Sequence, residues 1–151
     1  MESPLEFLDA TKTPEVFFSI LPKDWQKEII PHWSNYTSTA KIYVLKQHNK
    51  ILGGGIVFST VSPDTMAYKE LAQTYFDKGY LYLAFIYVDE KLRGKNLGSI
   101  WLQNSLKTYP NQKFWLTIED ISLKSFYEKN GFELTQKISL PDWDEWVIER
   151  R

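Results

Sequence analysis

Between Lys41 and Ser59 the apolar residues fall into two runs, Ile42 to Leu45 and Ile51 to Phe58, separated by the polar turn His48-Asn49-Lys50. Two such runs about a short turn predict a β-hairpin, strands 2 and 3. Tyr80 to Val88 is denser still, with almost no polar interruption. That density predicts a strand buried on both faces, near the middle of a sheet. The period then changes, with Leu97, Ile100 and Trp101 at helical spacing and an end to the helix before Pro110. Lys113 to Ile118 predicts another strand. Ser122 is expected to cap a short helix holding Phe126 and Tyr127, which Gly131 ends in the left-handed conformation. Phe132 to Leu140 and Trp143 to Ile148, joined at Pro141-Asp142, predict a closing hairpin.

The N-terminal part reads as a strand around Leu5 to Leu8 and two short helices. Thr13 is the expected cap of the first, with Pro14 at its first helical position, where a missing N–H costs nothing. Pro22 opens the second in the same way, and Pro31 ends or bends it. Ser62-Pro63-Asp64 opens a further helix to about Asp77, terminated by Gly79, with Met66, Leu71 and Phe76 as its apolar positions. Gly53-Gly54-Gly55 lies inside a strand and lacks the lysine and helix of a phosphate loop, so a bulge or a close backbone contact is expected there. The order of elements predicts an α/β (α+β) fold. It has a mixed, mostly antiparallel sheet of about seven strands flanked by helices, with strands 4 and 5 parallel across a right-handed crossover.

Composition narrows the function by exclusion. A chain of 151 residues, 43% hydrophobic and 25% charged, is expected to form a single domain over 1–151. Eighteen basic against nineteen acidic residues leave a net charge of -1. No global basic field collects nucleic acid or a membrane surface, so any anion site is local. No apolar stretch is long enough to span a bilayer, and Met1-Glu2-Ser3-Pro4 shows no basic segment before an apolar run. A cytoplasmic location is expected. The absence of cysteine removes thiol nucleophiles and thiolate metal sites. His32 and His48 alone supply a metal or a catalytic triad poorly, and both are expected on the surface or in a turn.

The chemistry concentrates in Arg93-Gly94-Lys95-Asn96-Leu97-Gly98-Ser99, which follows the central strand and opens a helix. The first turn of a helix has unpaired N–H groups and a partial positive charge, a seat for phosphate. Glycines let a bulky group approach the backbone, and Arg93 and Lys95 add charge beside it.

The segment from Arg93 to Gly98 resembles motif A of the GNAT acetyltransferase superfamily, Arg/Gln-x-x-Gly-x-Gly/Ala, with Asn96 in place of the middle glycine. Ser125-Phe126-Tyr127-Glu128-Lys129-Asn130-Gly131-Phe132 resembles motif B, a tyrosine followed four residues later by Gly-Phe. The resemblance runs in element order from about Lys41 to Arg151. It implies acetyl-coenzyme A (acetyl-CoA) as cofactor and strands 4 and 5 splayed around the pantetheine arm. The backbone of Ile86, Tyr87 and Val88 would pair with that arm. Amides from Arg93, Gly94, Lys95, Asn96, Leu97, Gly98 and Ser99 would hold the pyrophosphate. Asp120 stands where the family often has a cofactor-contacting asparagine. The resemblance makes Tyr127 the general acid and the Val88 N–H the donor to the thioester oxygen.

Acetyl transfer needs an unprotonated amine, a polarised carbonyl and a proton for the departing thiolate. Without cysteine, direct attack is favoured over an acyl-enzyme. Glu119, at the end of strand 5, is the first choice of general base, ahead of Tyr82 and Asp89; a solvated strand end is the competing reading of Glu119. The expected partners are acetyl-CoA and a primary amine of a small molecule or peptide, in a monomer or homodimer. A non-catalytic acyl-CoA-binding domain is the alternative. An interaction module using surface aromatics is disfavoured by the neutral charge balance.

Overall fold

The computed structural model describes residues 4–151, so Met1, Glu2 and Ser3, which belong to the expectation about export, lie outside the described residues. After β1 (Glu6–Asp9), α1 (Glu15–Phe18) and α2 (Lys23–Ile29), the predicted hairpin forms from β2 (Ala40–Gln47) and β3 (Lys50–Phe58). His48 and Asn49 both take positive φ, 54° and 60°, as a two-residue hairpin turn with the right twist demands. Then follow α3 (Lys69–Asp77), β4 (Leu81–Val88), α4 (Leu97–Thr108), β5 (Phe114–Ile118), α5 (Lys124–Lys129), β6 (Glu133–Ser139) and β7 (Asp144–Arg150). The seven strands form one sheet in the order β1-β2-β3-β4-β5-β7-β6. β4 is central, and its contact with β5 is the parallel one.

The glycine triplet sets how closely helices reach the sheet. A Cβ on Gly54 would lie 3.0 Å from the Phe17 ring of α1, and one on Gly55 would lie 2.6 Å from the Trp101 ring of α4. Successive strand residues face opposite sides. The two glycines therefore admit one aromatic ring on each face, and Trp101, 1% exposed, also donates from Nε1 to the Tyr43 carbonyl oxygen at 3.0 Å. Both expected roles of the triplet occur, because the ladder with β4 also shifts register between Gly54 and Ile56.

Several details differ from expectation. Thr13 makes no side-chain cap; its carbonyl accepts from Val16 N–H, while Pro14 (φ -61°) is itself helical. Pro22 (ψ 150°) sits one place earlier than predicted, as the cap residue of α2. Pro31 falls in a 3-10 segment, Ile30–Asn35, that follows α2, so it bends the helix into a tighter turn.

The single helix expected after Ser62 is a 3-10 segment, Pro63–Tyr68, and then α3, broken at Tyr68 (φ -136°, ψ 43°). Its buried side carries Thr65, Tyr68, Ala72 and Tyr75, whereas Met66 is 55% exposed. The tyrosines go inside because their hydroxyls find carboxylates there: Tyr68 donates to Glu145 at 3.0 Å and Tyr75 to Glu149 at 2.6 Å. Ser122 is not the cap before α5. Asp120 accepts from its N–H at 3.0 Å and from its hydroxyl at 2.7 Å, opening the 3-10 turn Ile121–Leu123.

Candidate functional site

β4 and β5 pair only at Leu81–Phe114 and Tyr82–Trp115, and beyond Tyr82 the two strands have no ladder partners in common. A bulge in β4 causes the separation. Phe85 and Ile86 together oppose the single residue Gly55, and Phe85 takes φ 54°. A bulky side chain in the left-handed region is uncommon and marks a locally imposed geometry. After the bulge, β4 pairs only with β3: Tyr87 lies opposite Gly54, and Asp89 N–H donates to the Leu52 carbonyl oxygen at 3.0 Å. In a trans peptide the C=O and the next N–H point opposite ways. The carbonyl of Ile86 and both backbone groups of Val88 therefore face the gap, while those of Tyr87 face β3.

The gap opens onto the start of α4. Gly94 (φ 87°) and Asn96 (φ 66°) both adopt left-handed angles, so Asn96 does the conformational work of the glycine that motif A carries there. The first intrahelical bond runs from Ile100 N–H to the Asn96 carbonyl oxygen, which leaves the amides of Leu97, Gly98 and Ser99 without helical partners. Leu97 and Gly98, with the turn before them, wall a groove of about 660 Å³, completed by Pro22, Trp25, Leu123, Phe126 and Tyr127, whereas Ser99 is buried behind it and does not line it. Arg93 stays close to the strand, donating from Nε to the Val88 carbonyl oxygen at 3.2 Å with its guanidinium 5.4 Å from the centre of the Tyr87 ring. Its own amide is engaged with the Glu90 carbonyl oxygen, and the Ser99 hydroxyl accepts from Asn130 Nδ2 at 3.0 Å. Lys95 is exposed and is not part of the groove wall.

On the other side of the sheet opening lies a second cavity of about 360 Å³. Trp25, Ile86, Leu123 and Tyr127 line both spaces and form their junction. Tyr127 is 7% exposed, its ring packed 5.0 Å from Phe126 and 5.8 Å from Phe132. Among the described residues its hydroxyl has no hydrogen-bond partner, and burial holds its pKa well above that of an ordinary tyrosine. The hydroxyl oxygen itself is not sealed off, since the buried side-chain nitrogen and oxygen atoms without a partner among the described residues are Trp115 Nε1 and Arg150 Nε. Tyr127 stands where groove and cavity meet.

The second cavity is acidic. Glu28, Asp64, Glu119, Asp120 and Glu145 line it, and no lysine, arginine or histidine does. Asp64 accepts from the hydroxyls of Ser62 and Tyr82, and burial raises its pKa despite those bonds. Glu145 accepts from Tyr68, from Thr117 at 2.9 Å and from Trp143 Nε1 at 3.0 Å. Burial and then the charge of Glu145 raise the pKa of Glu119. Glu28 is pushed up to about 7, first by burial and then by Asp64, Glu119, Glu145 and Asp24.

Residues 9–132 match the family model described as the acetyltransferase (GNAT) family. The chain belongs to the GNAT acetyltransferase family. No curated protein matches it significantly. Among solved structures, it is similar to an IAA acetyltransferase from Bacillus cereus ATCC 14579, with a TM-score of 0.64 at 16% identity over 97% of this chain and 99% of that one. A GNAT family acetyltransferase from Elizabethkingia anophelis with acetyl-CoA bound gives 0.67 at 14% identity, covering 97% of each chain. An acyl-CoA N-acyltransferase from Pseudomonas aeruginosa gives 0.64 at 12% identity over 99% of each. At these identities the likeness is one of fold, including the parallel β4–β5 pair of the GNAT sheet.

The structure brings Ile86, Tyr87, Val88, Arg93, Gly94, Asn96, Leu97, Gly98 and Tyr127 to one groove. Glu119 and Asp120 face the acidic cavity instead, and the Asp120 carboxylate is occupied by Ser122. Val88 walls the groove alone, whereas Ile86 reaches the junction. Asp89 is committed to capping, accepting from Lys91 N–H at 3.1 Å. Both histidines are exposed, His48 in the hairpin turn. The sequence reading missed Trp25, Glu28, Trp143 and Glu145. Nothing local distinguishes them, since they come from α2 and the closing hairpin, far from either motif. Asp64 had a signal, its place directly after the Ser-Pro helix start.

Proposed function

We propose that the protein transfers an acetyl group from acetyl-CoA to a primary amine of a small molecule or peptide by direct attack. The carrying observation is the unpaired hydroxyl of Tyr127 at the junction of groove and cavity. The groove fits the cofactor: the Ile86 carbonyl and the Val88 N–H face the gap between β4 and β5, and the free amides of Leu97 and Gly98 with the α4 dipole suit a pyrophosphate. Arg93 lies beside them with its terminal nitrogens to offer. When bound there, acetyl-CoA supplies an acetyl group activated as a thioester.

The chain's own residues do the rest. The Val88 N–H, which faces the gap just past the bulge at Phe85–Ile86, polarises the thioester oxygen. Glu119, its pKa raised, takes the proton of the attacking amine. As the N–C bond forms and the C–S bond breaks, Tyr127 delivers its proton to the departing sulfur. A non-catalytic acyl-CoA-binding role makes no use of that hydroxyl. Calorimetric titration with acetyl-CoA, followed by CoA release against a panel of amines, tests the proposal. Binding without turnover on any amine supports the non-catalytic alternative, and no binding removes both.

A further inference from the structure

We propose that the acceptor is a small amine bearing a second cationic group, a diamine or polyamine, whose distal ammonium is held in the acidic cavity while its reacting amine meets Tyr127. This rests on the acetyltransferase reading above. Among the described residues no ion pair engages any of the five cavity carboxylates. Glu145 and Asp120 have their charge spread over protein donors, but Glu28 and Glu119, both exposed at the rim of the cavity, accept no hydrogen bond among the described residues. Like charges gathered without a counter-ion oppose one another, and after burial, the larger cause, that repulsion adds to the raised pKa values of Glu28, Asp64 and Glu119. The groups facing Glu28 come from every neighbouring element: Asp24 on α2, Asp64 before α3, Glu119 after β5 and Glu145 on β7.

A cation is the missing component, and the reacting amine cannot supply it, because it must be neutral to attack. A second, fixed ammonium can. Among the described residues no group of side chains converges as metal ligands would. The walls instead include Trp25, Phe85 and Trp143, faces suited to an alkyl chain and to an ammonium over a ring. A cavity of about 360 Å³ lies at the small end of ligand sites, which favours a free amine over a large glycoside.

The test compares 1,4-diaminobutane and spermidine with butylamine and a short peptide with a free N-terminus, by CoA release at saturating acetyl-CoA. The diamines are expected to exceed butylamine in kcat/KM by about 100-fold, and Glu28→Gln to raise the diamine KM about 10- to 100-fold, far more than that of butylamine. Calorimetry of spermidine binding at pH 7 in two buffers of different ionisation enthalpy should show proton release from Glu28 that the Gln variant lacks. Acetyl-CoA binding by the wild type and variant should agree. If acetyl-CoA binds but butylamine or the peptide matches the diamines, or neither diamine is acetylated, the inference falls and cofactor binding stands. If acetyl-CoA itself does not bind, the underlying reading falls instead.

Discussion

Replacing Tyr127 with phenylalanine deletes one atom, and the structure says what that atom is worth to the fold. The ring keeps its contacts with Phe126 and Phe132, and no hydrogen bond is lost among the described residues. Because the hydroxyl opens onto the cavity and bonds no protein group, its removal leaves no buried partner unsatisfied, so Tyr127→Phe should be about as stable as the wild type. Its effect on turnover should be the reverse. Loss of a positioned proton donor lowers kcat by roughly tenfold to a thousandfold, with the KM for acetyl-CoA little changed. Thermal melts and steady-state CoA release on the same preparation measure both. A kcat within twofold of wild type, with chemistry shown to limit the rate, would refute the role of Tyr127 as acid. A destabilised variant would refute the claim that its hydroxyl is unpaired.

Glu28→Gln should alter stability in a pH-dependent way. The carboxyl is protonated in both states below about pH 4.5, so the penalty of its raised pKa is absent there, grows as pH rises toward 7 and is full above it. Because Glu28 is exposed, screening reduces the effect to about 1 kcal/mol. The variant should then melt a few degrees above wild type at pH 8 and level with it near pH 4.5, and a pH-independent difference would contradict this. Gly55→Ala places a methyl 2.6 Å from the Trp101 ring and should cost about 1–3 kcal/mol without touching acetyl-CoA affinity in the folded fraction, as chemical denaturation and calorimetry can show. Gly98→Leu should lose both stability and acetyl-CoA affinity, since a Cβ there already lies 3.0 Å from the Phe126 ring; retained affinity in a folded variant would remove the proposed pyrophosphate seat. Gly98→Ala, needing only a small shift of that ring, should show the same losses in weaker form.

Wherever a physical rule acts over neighbouring residues, the sequence was readable. Alternation and the turn at His48-Asn49 were enough for β2 and β3, density for β4, and strand-turn-helix order for the groove at Arg93 to Ser99. Single-residue assignments at helix ends went astray where two candidates stood close together. Asp120 outcompetes Ser122 for the cap because a carboxylate two residues earlier can accept from both the Ser122 amide and hydroxyl. The amphipathic reading of 62–79 chose Met66 as core and passed over Tyr68 and Tyr75, because the carboxylates that make those tyrosines burial-competent, Glu145 and Glu149, lie some seventy residues away. The same non-locality hid the acidic cavity. The segment 62–79 carries lysines as well as acids and reads as neutral, yet Asp64 alone of its charged residues faces the cavity while Lys69, Glu70, Asp77 and Lys78 are exposed.

The positions that resisted reading are also those where the fold departs from its own economy. Phe85 in the left-handed region costs on the order of 1–3 kcal/mol relative to relaxed strand, and the β4–β5 ladder gives up its pairing beyond Tyr82. The Phe85 ring is held edge-on against Trp25 at 5.9 Å, and Trp25 meets Tyr87 at 5.8 Å, so α2 clamps the bulge from outside the sheet. That clamp explains why a phenylalanine stands where glycine would be unstrained. Glycine would relax the backbone but release Trp25, one of the four residues that wall both groove and cavity. Strain at Phe85, an unpaired hydroxyl on Tyr127 and unneutralised acids around Glu28 thus converge on one junction. The strain and the acids are unfavourable to the fold alone, and the proposed reaction is what would use all three, with a thioester chain and a cationic amine meeting at that junction.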